Sequence, residues 1–295
     1  MPPAPPPGFL DVPFLLEASH PRQSTGWFWY ALGGFLLVVF ASTYAGMQSP
    51  EASTAVNALS WIAMLGIMAA MSGVSWTAIS RARREQAQME TIEELVQLRR
   101  WTQAAAAINA MLSLPTRTNY ARARALVFLT LVLGRYGRYT DAMTVQEHLL
   151  NELDLDANTA YGLRLSHAMA LLQDDRLFDA DRAISELRRS GNDANAAGLA
   201  LLEIYRDVKT GHPMEAIEIF DARLPVMRKQ LGHRVADAWA LIAKAYDLLE
   251  REPEARTAYE NATLLAPVAE LHRRYAEAAS LGAKYAPSEA PVEIR

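Results

Sequence analysis

The chain has 295 residues, 51% hydrophobic and 21% charged, with a net charge of −4. This composition excludes a disordered chain, and it lacks the basic excess with which nucleic-acid binders displace counterions, so no nucleic-acid partner is expected. The absence of cysteine excludes disulfides, thiolate metal sites, iron–sulfur clusters and thiol catalysis.

Residues 1–26 carry Pro2, Pro3, Pro5, Pro6, Pro7, Pro13 and Pro21 and read as a flexible arm, because proline lacks an amide donor and favours extended backbone. Its alternative roles are docking to a proline-reading domain, or lying on a membrane through Phe9, Leu10, Phe14, Leu15 and Leu16. Two uncharged runs follow, 27–46 and 58–80, joined by a short loop, 47–57. Each run has about the 20 residues a helix needs to cross roughly 30 Å of hydrocarbon. Trp27, Phe28, Trp29, Tyr30 and Tyr44 flank the first, and Trp61 and Trp76 lie near the ends of the second, as interface anchors do. Arg81, Arg83 and Arg84 in the basic segment 81–87 predict that both termini and everything after residue 81 are cytoplasmic, with the loop outside. Ala63, Gly66, Ala70 and Gly73 form a stripe of small residues suited to close helix packing, so the pair reads as a membrane hairpin, with homo-oligomerisation through it as an alternative.

From residue 88 onward one phrase recurs. Ala104, Ala142, Ala180, Ala216 and Ala255 are separated by 38, 38, 36 and 39 residues, a period that belongs to stacked helical hairpins. An acid or amide precedes each alanine: Gln103, Asp141, Asp179, Glu215 and Glu254. Such residues suit the first turn of a helix, where Thr102 and Thr140 are expected to cap and Pro213 and Pro253 fit the first position. Ile108, Ile184, Phe220 and Tyr259, four residues on, and Met111, Leu149, Leu187 and Ala262, seven on, draw one apolar face, with Gln146 and Arg223 as exceptions. Leu95, Leu133, Leu171 and Tyr246 lie nine residues before their alanines on the preceding helix. The turns between are polar or glycine-bearing, at Arg99, Gly137, Asp175, Gly211 and Arg251. The alanines are needed where the two helices of a hairpin cross.

Trp239, Ala243, Tyr246, Ala255, Tyr259, Ala262 and Pro267 stand in an order and spacing that resemble the signature of the tetratricopeptide repeat family. Other units match in part, through Gly137, Ala142 and Leu149, and through Ala200, Gly211, Ala216 and Phe220. The family period is about 34 residues, so these units carry helices extended by about a turn. Over 88–284 the resemblance implies an α-solenoid of about five repeats and a capping helix; with the transmembrane helical hairpin read from the apolar runs, which the resemblance does not cover, and a flexible tail, 285–295, the whole chain is expected to be all-α. It also implies a protein-interaction scaffold whose concave groove is lined by Val127, Leu131, Leu165, Met169, Leu172, Leu201, Tyr205 and Val208, with Asp237, Lys244 and Asp247 in the last unit. A one-residue shift of register turns the same apolar side chains into core, and both placements stay open at this point.

No chemical motif is complete. Asp154, Asp156 and Asn158 imitate a calcium loop, yet Thr159 stands where glycine is needed and Leu165 where the bidentate glutamate belongs, so a helix-leading turn is expected. His148, His167, His212, His233 and His272 lack metal-ligand spacing, and no phosphate-binding loop or nucleophile elbow occurs. The chain is expected to be no enzyme and to need no cofactor or metal. The expected role is a membrane-anchored scaffold or adaptor that holds a protein or peptide partner at the cytoplasmic face of a plasma or inner membrane. The alternative is a regulatory solenoid that senses a peptide or small molecule in its concave cavity.

Overall fold

The computed structural model describes residues 10–21, 53–116, 118–153, 155–191 and 196–285, with the isolated helical positions 33, 34, 37, 40 and 44. They fall into two compact units, Met1–Tyr136 and Gly137–Arg295, and every regular element among the described residues is helical. Residues 1–9 and 22–26 of the arm, most of the first apolar run and the tail 286–295 lie outside the described residues.

In the first unit, α1 (Val12–Ala18) forms inside the stretch expected to be an arm. Asp11 starts it by accepting a hydrogen bond from the Phe14 amide at 3.2 Å, and Pro13 fits the first turn, where no amide is required. Leu10, Val12 and Leu15 are buried while Phe14 is exposed. Ser19 then ties the helix end down. Its carbonyl accepts from Thr116 Oγ1 at 2.8 Å, and its hydroxyl accepts from Nε of buried Arg122 at 3.1 Å. Arg122 Nη2 also donates to the Leu16 carbonyl at 2.8 Å.

Helix α2 (Ser53–Gln97) runs unbroken for 45 residues, about 68 Å at 1.5 Å per residue. The helix does not stop where the uncharged run ends at Ser80 but continues through Arg83, Arg84 and Glu85 to Met89 and Ile92, which are buried against α3 (Trp101–Leu112) and α4 (Asn119–Arg135). Ser60, Gly66, Ser72, Gly73, Ser75, Thr77 and Ser80 interrupt its apolar run, and Ser72 Oγ donates to the Met68 carbonyl at 2.8 Å. Among the described residues no helix is long and apolar enough to cross a membrane. That finding leaves the expected transmembrane hairpin, whose first span lies mostly outside the described residues, without support, and it overturns the integral-membrane placement and the cytoplasmic assignment derived from Arg81, Arg83 and Arg84. The first apolar run, expected to pack on the small-residue stripe, lies mostly outside the described residues; among the described residues nothing lies within 4 Å of a Cβ placed at Gly66 or Gly73.

The second unit consists of α5 (Tyr139–Glu152), α6 (Ala157–Gln173), α7 (Leu177–Ser190), α8 (Ala196–Thr210), α9 (Pro213–Leu231), α10 (Val235–Leu248) and α11 (Glu252–Leu265). Each packs on the next in chain order. Two short helices, α12 (Val268–Arg274) and α13 (Ala279–Tyr285), follow with a 3-10 turn at Ala276–Ala278 between them.

The sequence period has a backbone counterpart. Positive φ angles occur at Arg99 (57°), Gly137 (73°), Asp175 (58°), Gly211 (79°) and Glu250 (59°), in each case five residues before the repeated alanine. A left-handed residue there lets the next amide reach back across the helix end, as Arg100 N does to Leu95 O (2.8 Å), Arg176 N to Leu171 O (3.0 Å), His212 N to Asp207 O (2.8 Å) and Arg251 N to Tyr246 O (2.9 Å). The chain thus leaves the helix in the same way at the turns after Arg99, Asp175, Gly211 and Glu250. Ala104, Ala180, Ala216 and Ala255 are 0% exposed and Ala142 is 2% exposed, as close helix crossings require.

The helix starts differ from expectation in one respect. Arg100 and Arg138, rather than Thr102 and Thr140, occupy the cap positions, and neither makes a side-chain cap bond. Instead Arg138, Arg176 and Arg251 pair with the acid three residues on, at Asp141, Asp179 and Glu254. Asp156 caps α6 by accepting from Thr159 N at 3.0 Å, which makes the calcium-like motif the helix-leading turn that was expected.

Candidate functional site

The residues expected in the groove take several positions. On α4, Val127 is half-buried and Leu131 exposed. Within the second unit, Leu172 of α6 and Leu201, Tyr205 and Val208 of α8 are buried, while Leu165 and Met169 of α6 are half-buried against the same core. Leu165 sits beside Gly198 of α8, where an added Cβ would approach Leu165 Cδ1 at 3.0 Å, so that glycine sets the closeness of the two first helices. In α10, Asp237 is buried, and half-buried Lys244 donates to Asp247 Oδ2 at 3.0 Å.

Tyr205 shows what covers this side. The segment after Pro267 was expected to serve as a capping helix, and Leu271, Tyr275, Ala278, Leu281 and Tyr285 do draw one helical stripe, all buried. The backbone breaks that helix at Tyr275, which is extended at φ −131°, ψ 91°. The break folds the segment back along α10, α8 and the end of α6. Gly282 permits the return, because any side chain there would overlap His272.

The contacts are specific and largely charge-assisted. Arg274 Nη1 donates to Asp237 Oδ1 at 2.6 Å while its Nη2 pairs with Glu270. The Arg274 carbonyl accepts from Gln173 Nε2 of α6 at 3.3 Å. The Tyr275 ring stands edge-on to Tyr205, with centroids 5.1 Å apart and planes at 89°, the arrangement that the ring quadrupoles favour. Two residues on, Glu277 accepts from the Tyr205 hydroxyl at 3.3 Å and lies 3.2 Å from Lys209 Nζ. Lys209 itself is nearly buried, donates to the Leu172 carbonyl at 2.6 Å and lies over the Tyr205 ring. Burial, reinforced by the Glu277 charge, pushes the Tyr205 phenol far up, and burial does the same to Tyr275. Tyr205 therefore acts as a neutral donor. At the far end Asp247 Oδ1 accepts from Lys284 Nζ at 3.0 Å and Tyr285 Oη at 3.1 Å.

Burial opposes ionisation of Asp247, yet hydrogen bonds from Lys284, Lys244 and Tyr285 outweigh it and hold its carboxyl below the ordinary 3.8. A carboxylate whose folded pKa is depressed stabilises the fold at higher pH and loses that contribution as the pH falls through the folded value. Amide exchange in α13 is therefore expected to show an extra acceleration below pH 3.8 that Asp247→Asn abolishes. An undiminished acid step in that variant would show that another group fastens α13.

A second concavity of about 570 Å³ opens between α7, α8 and α9, lined by Asp181, Arg206, Asp207, His212, Glu215 and Glu218. Asp207 occupies the position where other repeats place Leu133, Leu171 or Tyr246, so this buried carboxylate was visible in the sequence as a break in the apolar pattern. Burial raises its pKa, and Arg206 Nε donates to its Oδ1 at 2.8 Å. Because Arg206 also bridges to Asp181 at 3.1 Å, the pocket already holds its own cation.

The C-terminal contacts escaped sequence reasoning. The stripe from Leu271 to Tyr285 signals an amphipathic helix but not the direction in which it folds. Compared with known proteins, the chain matches no family model, no curated protein and no solved structure.

Proposed function

We propose that the chain is a tetratricopeptide-like scaffold that binds a segment of a protein partner along the first helices α6, α8 and α10. The observation that carries this reading is that a stretch of polypeptide already lies along all three, held by Gln173, Tyr205, Lys209 and Asp237. A surface that seats one peptide through ring, ammonium and carboxylate contacts has the chemistry to seat another. The Tyr275 ring fills the space over Tyr205, which favours a peptide over a small-molecule ligand. Peptides selected from a random display library on the full chain are expected to lose at least tenfold in affinity on Met169→Glu, with the helical circular dichroism retained. Selected peptides that bind the folded variant as well as the native chain would dock elsewhere and overturn the reading.

A further inference from the structure

Resting on that reading, we infer that residues 274–277 stand in for the partner, so that the groove recognises an aromatic residue followed two positions later by a carboxylate, with a cation just before the ring. In the chain itself these are Tyr275, Glu277 and Arg274. Tyr205 offers its ring to the aromatic and its hydroxyl to the acid, Lys209 offers an ammonium to the same acid, and Asp237 takes the cation.

Two features mark residues 268–285 as an occupant of the groove. The helices α12 and α13 have seven residues each, too few to be stable without a surface to fold on. Besides packing on the preceding helix α11 through Tyr259 and Glu252, the segment reaches side chains of three successive first helices, which the contact of one hairpin with the next does not require. A tethered occupant competes at an effective concentration on the order of 1 mM. A free peptide of intrinsic Kd about 10 μM would then bind the intact chain roughly 100-fold more weakly than an opened one.

The test is fluorescence anisotropy with a labelled synthetic peptide of residues 268–285, added to the full chain, to its Tyr275→Ala variant and to its Glu277→Ala variant. Each variant is expected to bind the peptide at least tenfold more tightly than the native chain does. A peptide carrying both Tyr275→Ala and Glu277→Ala should lose at least tenfold on either variant. Equal binding to native chain and variants, or indifference to the two peptide substitutions, overturns the inference. So does loss of amide protection across α6–α11 in both variants, which would make the segment part of the repeat core. Display peptides that depend on Met169 yet are not displaced by this peptide would sink the inference while leaving the scaffold reading in place.

Discussion

Replacing Arg122 by alanine is expected to release α1 from the first unit and to lower the stability of that unit by roughly 3 kcal/mol, the sum of two hydrogen bonds to a charged donor and the polar groups they leave behind. The guanidinium is 1% exposed and reaches both Ser19 Oγ and the Leu16 carbonyl. Losing it strands two acceptors at the end of a seven-residue helix that has little stability of its own. Hydrogen exchange should show peptides covering residues 10–19 exchanging as free chain, with α6–α11 still protected. Arg122→Lys should recover less than half the loss, because an ammonium cannot hold two acceptors in the geometry of a planar fork. Retained protection of residues 12–18 in Arg122→Ala would mean that the burial of Leu10, Val12 and Leu15 alone holds the helix.

Substituting Lys209 by methionine is expected to free the C-terminal segment at a cost of about 2 kcal/mol, within the range for leaving charged hydrogen-bond partners unsatisfied at a partly buried site. Methionine preserves most of the stem that packs near Tyr205 but leaves Glu277, Asp175 and the Leu172 carbonyl without their ammonium. Amide protection over 268–285 should fall by at least tenfold while α7 and α9 change little. Protection within twofold of native would show that Tyr275 and Leu281 secure the segment without the ionic contacts.

The repeats were legible because their signal is local. A turn five residues before a buried alanine needs only a residue that tolerates positive φ and a small side chain at the crossing, and both can be read at Gly137 and Ala142 or at Gly211 and Ala216. The turns at Arg99, Asp175 and Glu250 follow the same geometry without glycine, so the spacing of the alanines was the better guide there. Two features went beyond the local pattern for opposite reasons. The apolar run over 58–80 ends in a charge change, which reads as a boundary, yet arginine and glutamate are good helix formers and α2 passes through them unbroken. The segment after Pro267 has a clean helical stripe, yet its path is decided by partners some 37 to 101 residues away, such as Asp237 for Arg274 and Gln173 for the Arg274 carbonyl. No local pattern encodes contacts at that separation.

The continuity of α2 has a mechanical meaning. A helix without proline or break from Ser53 to Gln97 behaves as a stiff rod, with exposed Trp61, Leu65, Met68 and Trp76 on its outer half and buried Met89 and Ile92 on its inner half. Torque applied to the outer half arrives at the inner half with its phase intact, since helical residues cannot swivel independently of their neighbours. A rotation of the outer half would therefore turn Met89 and Ile92 against α3 and α4.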